Sequence, residues 1–277
     1  MNFRIALIIT FFSLPFAVLG QNNRLQIDYA DNLYKNGRSF EAITEYKRLL
    51  FFDSSYTIKY KINYNIADCY KTGGKFDEAI KYFSIAGANT SNDEELFNAK
   101  VQIIRSNILR KTTDRALLLC DELDKDSRFK YMTDKTNYWR GWAYMFADDW
   151  KNASRMFDKI SNNHELKKLA EQTDRAKVSV TFAKVISYIL PGAGSIYSGK
   201  VLSGFMSLGW NALSGYWTIN SFNAGRIFDG IVVGELVWLR FYRGGIQNAG
   251  EFAIEKNLEI ANKTLLFLQN EYTGIKP

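Results

Sequence analysis

The sequence predicts an all-α protein in two parts: an α-solenoid of helix-turn-helix repeats, then a membrane-associated helical hairpin and an amphipathic C-terminal helix. Three observations carry that expectation. Ala42, Ala79, Ala116 and Ala153 stand 37 residues apart, and the residues around them recur with them. An interval between about 20 and 50 residues marks supersecondary units that bury their apolar faces only by stacking. The only prolines are Pro15, Pro191 and Pro277, so nothing breaks a helix across the repeats. Finally, Val201 to Gly225 runs without one charge.

Residues 1–20 read as a secretory leader. Arg4 supplies a positive start, Ile5 to Phe16 form a short apolar run, and Ala17-Val18-Leu19-Gly20 precede the polar Gln21-Asn22-Asn23. The run is short for a membrane span, which needs about 20 residues, and small residues stand where a peptidase would cut. No cysteine follows to carry a lipid. The leader places the repeats outside the cytoplasm, in the cell envelope.

Residues 23–166 divide into four repeats. The second is the clearest: Ala67 and Tyr70, then Gly74-Lys75-Phe76-Asp77-Glu78-Ala79, then Phe83 and Ala86. The fourth keeps the same offsets with Gly141, Tyr144, Trp150, Ala153, Phe157 and Ile160. The first has Ala30, Leu33, Gly37, Ala42, Tyr46 and Leu49, with Phe40 one place late; the third keeps Ile104, Asn107, Ala116, Cys120 and Leu123. Small side chains let two helices approach closely where they cross. The aromatics fill the space between units, and the glycine pair Gly73-Gly74 can supply a left-handed residue that ends the first helix.

These residues resemble the tetratricopeptide repeat, whose usual spacing is about 34 residues. The interval here implies slightly longer loops. The resemblance implies a solenoid whose concave face binds a protein or peptide partner, with Tyr29, Tyr34, Tyr64 or Arg105 as candidate lining residues.

Residues 164–177, from His164 to Lys177, are charged and read as a capping helix and domain boundary, since a terminal repeat needs a polar outer face. Beyond them, residues 178–277 change character. Within the uncharged stretch, Ser203, Ser207, Asn211 and Gly215 recur every fourth residue, one stripe of a helix. In lipid such stripes let helices approach and hydrogen-bond. A second segment, Ile227 to Tyr242, carries Gly230 and Gly234 but also Asp229 and Glu235, which are costly inside a bilayer. A helix of a soluble core stays open as the alternative.

The stretch before it reads Pro191-Gly192-Ala193-Gly194-Ser195-Ile196-Tyr197-Ser198-Gly199-Lys200. Glycine permits positive φ and close approach, Pro191 ends the preceding helix, and Tyr197 suits a membrane-water interface. Through Pro191, Gly192, Gly194, Tyr197 and Gly199 the chain resembles a family of bacterial modules with two spanning helices, some joined to tetratricopeptide repeats. That resemblance implies a helical hairpin in membrane lipid and no catalytic residue. The spacing Gly-x4-Gly-Lys at Gly194 to Lys200 imitates a phosphate-binding loop, but Val201 stands where Ser or Thr would hold magnesium. Lys184, Lys200, Arg240 and Arg243 flank the hairpin and Arg226 marks its turn. The positive-inside rule sets those flanks in the cytoplasm, against the leader; helices lying in the interface reconcile the two.

Ile246, Ala249, Ala253, Ile254, Leu258, Ala261, Leu265 and Leu268 then recur at steps of mostly three and four, an amphipathic helix. The net charge of +7 is dispersed, with no basic stripe, which sets nucleic acid aside as a partner. His164 is the only histidine, so no metal or histidine-assisted nucleophile is legible, and Asp148-Asp149 read as helix caps. Cys69 and Cys120 fall in different repeats and read as packed residues. The chain therefore reads as a non-enzymatic envelope scaffold without a cofactor. A soluble secreted binding protein and a carboxylate-dependent hydrolase of envelope polymers are the alternatives.

Overall fold

The computed structural model describes residues 23–52 and 56–277, all helices and turns, with no strand among them. The leader expected over 1–20 lies outside the described residues. Two compact units part between Ala147 and Asp148.

Among the described residues the first unit contains seven α-helices, α1 (Asn23–Lys35), α2 (Ser39–Phe52), α3 (Tyr56–Thr72), α4 (Phe76–Ala88), α5 (Asp93–Leu109), α6 (Thr113–Lys125) and α7 (Thr133–Phe146), with a short 3-10 helix, Ser127–Met132, before the last. Each packs on the next in the chain, a repeat-like arrangement. The period is visible in the backbone itself. Gly37, Gly74, Lys111 and Asp148 all take positive φ, at 77°, 71°, 62° and 62°. Around the first three the bonding is the same. The amides of Arg38, Lys75 and Thr112 donate to the carbonyls of Leu33, Tyr70 and Asn107, closing one left-handed helix stop three times over. Lys111 holds this conformation without being glycine, which costs roughly 1–2 kcal/mol and explains why the third repeat lacks the glycine signal.

The alanines of the period, Ala42, Ala79 and Ala116, are fully buried, as are Tyr46, Phe83 and Cys120 four residues further on. Ala30 and Ala67 are equally buried on the first helices of their repeats, and Tyr70 is half-buried, stacked on Tyr82 at 5.5 Å. Gly141 is buried and Tyr144 half-buried in α7. Cys69 and Cys120 are buried free thiols, pushed up to about 12 by desolvation.

The second unit holds α8 (Trp150–Ile160), α9 (Glu165–Ala176), α10 (Val180–Ile189), α11 (Ala193–Tyr197), α12 (Val201–Asn223), α13 (Ile227–Val232) and α14 (Leu239–Asn270). Ala153 and Phe157 are fully buried in α8. The charged run 164–177 is the single helix α9, with Leu166, Ala170 and Thr173 buried. It packs on α8 and α14, and the hydroxyls of Thr173 and Thr264 lie 3.0 Å apart. This helix and α8 belong to the same compact unit as the C-terminal helices. His164 caps α9: its Nδ1 accepts from the Leu166 amide at 3.2 Å, its ring stacks on Phe157, and burial lowers its pKa.

A six-residue π turn, Val233–Trp238, joins α13 to α14, so the backbone is helical from Ile227 to Asn270. Glycines set the packing here. A side chain at Gly215 would meet the Trp238 ring at 3.4 Å, and one at Gly234 would meet Thr218 at 3.2 Å. Along α14 the buried stripe is mostly small, with Gly245, Ala249, Gly250, Ala253 and Ala261 beside Ile246 and Leu268, while Ile254 and Leu258 face outward. Among the described residues, no helix is long and apolar enough to cross a membrane.

Candidate functional site: a half-buried polar strip

The alternating helices α1, α3, α5 and α7 carry polar side chains that bond from one repeat to the next. Asp31 accepts from the hydroxyl of Tyr46 and, at 3.2 Å, from the Asn65 amide. Tyr34 donates to Asp68 at 2.7 Å. Gln102 Nε2 donates to the Tyr64 hydroxyl at 3.0 Å while its Oε1 accepts from Lys71 Nζ at 3.1 Å. The Arg105 guanidinium lies 4.7 Å from the centre of the Trp139 ring. The bonds 31 to 65 and 34 to 68 both span 34 residues, three short of the period, so each side chain reaches the position about one turn before its equivalent on the next first helix. Neighbours on one helix fall at steps of three and four, so the bonds form a continuous strip.

Burial shifts the titration of its tyrosines and cations. Desolvation raises Tyr34 to about 12 and raises Tyr60 and Tyr64 as well. The two cations feel the opposite penalty. Desolvation, then repulsion from Arg105, lowers Lys71 to about 8, with Asp68 opposing the shift. Desolvation also lowers Arg105. The strip is therefore polarised: Asp31 and Asp68 have hydrogen-bond donors along α1 to α3, whereas the α3–α5 side carries two partly desolvated positive charges. Lys71 has no carboxylate within ion-pair distance among the described residues; its partner is the neutral Gln102. A partly desolvated cation whose direct hydrogen-bond partner is a neutral amide favours an incoming anion.

The repeat-signature residues Ala30, Ala42, Ala67, Tyr70, Ala79, Phe83, Ala116, Gly141, Tyr144, Ala153 and Phe157 are packing positions and do not line this strip. Tyr34, Tyr64 and Arg105 do. Tyr29 does not: two residues before Asp31 it lies about 200° round the helix, and it is exposed. Sequence reading missed Asp31, Asp68, Lys71 and Gln102. Their signal was a charged residue at the repeat interval: Asp31, Asp68 and Arg105 stand 37 residues apart, but the sign of the charge reverses at the third, and Lys71 and Gln102 have no counterpart of their own type.

In the second unit, the motif residues have backbone roles. Pro191 follows Leu190, the C-cap of α10. Gly192 at φ 91° starts α11, Gly194 packs against the Ala183 carbonyl, and Gly199 at φ 86° ends the turn before α12. The Tyr197 hydroxyl accepts from the Ser179 amide at 3.2 Å, and the Phe182 ring meets the Tyr197 ring edge-on at 5.1 Å. Gly194 to Lys200 thus span the last four residues of the short helix α11 and the turn after it, without the preceding strand a phosphate-binding loop requires. Among the described residues, no group of three His, Cys, Asp or Glu side chains could hold a metal ion. No family model and no curated protein matches the sequence.

Proposed function

We propose that the protein is a non-enzymatic adaptor of the cell envelope, whose tetratricopeptide-like first unit takes up an acid-bearing peptide segment of a partner while its second unit rests in membrane lipid. The observation that carries the peptide-binding part is the Lys71–Arg105 pair: two partly desolvated cations beside tyrosines and amides that can bond a peptide backbone. A selection from a random peptide library displayed on phage, with the full chain as bait, tests it. Sequences enriched in Asp and Glu, and lost when the bait carries Arg105→Gln, are the expected result. Enrichment without acidic bias, or unchanged by that substitution, would contradict it.

The membrane part is supported by the reversed burial of α12. Its inward residues are small or polar (Gly204, Asn211, Ser214, Gly215, Thr218 and Ser221) and its outward ones include Leu202, Phe205, Tyr216, Trp217, Ile219 and Phe222. A helix in a water-soluble core has the opposite pattern. Outside α12, Ile189 is 82% exposed and Phe228 78% exposed. Exposed apolar residues gathered along one helix face mark an interaction face, and small-residue contacts between helices are those favoured in lipid. The inward serine, threonine, asparagine and glycine also lower the mean hydropathy of α12. Both Phe205 and Ile219 are exposed, so the double substitution Phe205→Glu/Ile219→Glu leaves the packing between helices intact. It is expected to move the full chain from the membrane pellet to the supernatant in an alkaline-carbonate wash with an unchanged helical circular-dichroism spectrum. Continued retention in the pellet would remove this face as the seat.

A further inference from the structure

Between α12 and α14 lies a cleft of about 440 Å³, within the range of about 300–1,000 Å³ for small-molecule pockets. Ser203, Ser207 and Trp210 line it from α12, and Arg240, Phe241 and Gly244 from α14. Trp210 and Phe241 stack at 5.4 Å and make an aromatic wall. Ser207 Oγ, on the cleft lining, is buried without a hydrogen bond; Asn211 Oδ1, one turn further along the same stripe and outside the lining, is likewise unpaired, while its Nδ2 donates to the Ser207 carbonyl at 2.8 Å. No carboxylate lies within ion-pair distance of Arg240 among the described residues, whereas nearby Lys200 is engaged by Glu255 at 2.9 Å. Gly244 keeps the cleft open: a Cβ there would meet nothing within 4 Å.

One guanidinium, an orphaned buried hydroxyl and an aromatic wall call for an amphiphile with an anionic head. The surrounding surface, Phe205 and Met206 included, is exposed and apolar. We propose that this cleft binds the phosphate group of one anionic phospholipid, with Arg240 as its counter-ion, Ser207 as a donor, and an acyl chain leaving along Trp210 and Phe241. The inference rests on the membrane seating of the second unit and adds a lipid class to it. Arginine and phosphate pair through two parallel N–H···O bonds, and a basic residue at an anionic surface favours it by a factor of about five.

Native mass spectrometry of the full chain in a neutral detergent, titrated with phosphatidylglycerol or phosphatidylcholine, tests this directly. The expected result is one retained phosphatidylglycerol per chain, with phosphatidylcholine retained at least about fivefold less. Arg240→Gln removes the charge, and Gly244→Leu fills the cleft from a position with room for a side chain; both are expected to lose the adduct. Flotation of the same proteins with mixed vesicles reads membrane seating separately. Flotation without a phosphatidylglycerol adduct, or an adduct that survives both substitutions, overturns the lipid site and leaves the seating intact. Failure of the wild-type chain to float overturns the seating and the lipid site together.

Discussion

Gly192→Val is expected to unfold the second unit. The residue sits at φ 91°, a region costly for any side chain and most for a β-branched one. A Cβ there would also overlap the Gly204 carbonyl oxygen, which is backbone and cannot turn aside. Gly204 returns the constraint, because its own Cβ would lie 2.7 Å from the Gly192 carbonyl oxygen. The two glycines are thus the contact through which α11 lies against α12. Strain of about 1–3 kcal/mol and overpacking of about 1–3 kcal/mol act together, against a total stability of roughly 5–15 kcal/mol for a domain. Limited proteolysis of the full chain should cut within residues 178–270 in the variant at protease levels the wild type withstands. Gly209→Ala is the matched control, since a Cβ at Gly209 meets nothing within 4 Å. Alanine in mid-helix should there gain about 0.5–1 kcal/mol. Wild-type resistance in Gly192→Val would show that the contact does not hold the unit together.

Lys71→Met is expected to stabilise the first unit while weakening binding of an acidic peptide. The folded pKa of Lys71, about 8, lies below its ordinary 10.5. Between those values the unfolded chain binds more protons than the folded one, so wild-type stability rises with pH through that window. Below pH 8 the folded protein bears the full cost of a partly buried ammonium. Methionine keeps most of the stem and has no charge to desolvate, so the variant should gain about 1 kcal/mol at pH 7 in urea unfolding, with the gain shrinking toward pH 10. Retention of a destabilising cation is the usual mark of a site that needs it. Loss of stability in the variant would show instead that the Lys71–Gln102 bond outweighs desolvation.

Much of the first unit was legible in its sequence. The alanine period works because only a small residue fits where helices cross, so Ala42, Ala79, Ala116 and Ala153 each report burial directly. The helix stop was half legible: Gly37 and Gly74 announce it, whereas Lys111 and Asp148 adopt the same backbone geometry through their context. The polar strip was harder to read. Tyr34, Tyr64 and Arg105 were found as large polar residues on first helices, but Lys71 looks like any surface lysine until the fold desolvates it. In the second unit, glycine spacing pointed correctly to close helix contacts at Gly192, Gly194, Gly215 and Gly234. The heptad-like run of α14 misled at Ile254 and Leu258. Alanine and glycine form the middle of its buried stripe, with Ile246 and Leu268 buried toward its two ends, so the apolar period exceeds what packing uses only between them.

Fluorescence anisotropy of a labelled acidic peptide, taken from the display selection and titrated with the full chain at pH 7 and pH 9.5, tests the central claim most directly. Loss of one charge-assisted contact corresponds to roughly a tenfold loss of affinity or more. The wild type should lose about that much between the two pH values, as Lys71 deprotonates. Lys71→Met should bind weakly at both. Affinity independent of pH in the wild type, or equal in the two proteins at pH 7, would contradict the assignment of Lys71 as the anion-binding group of the repeats.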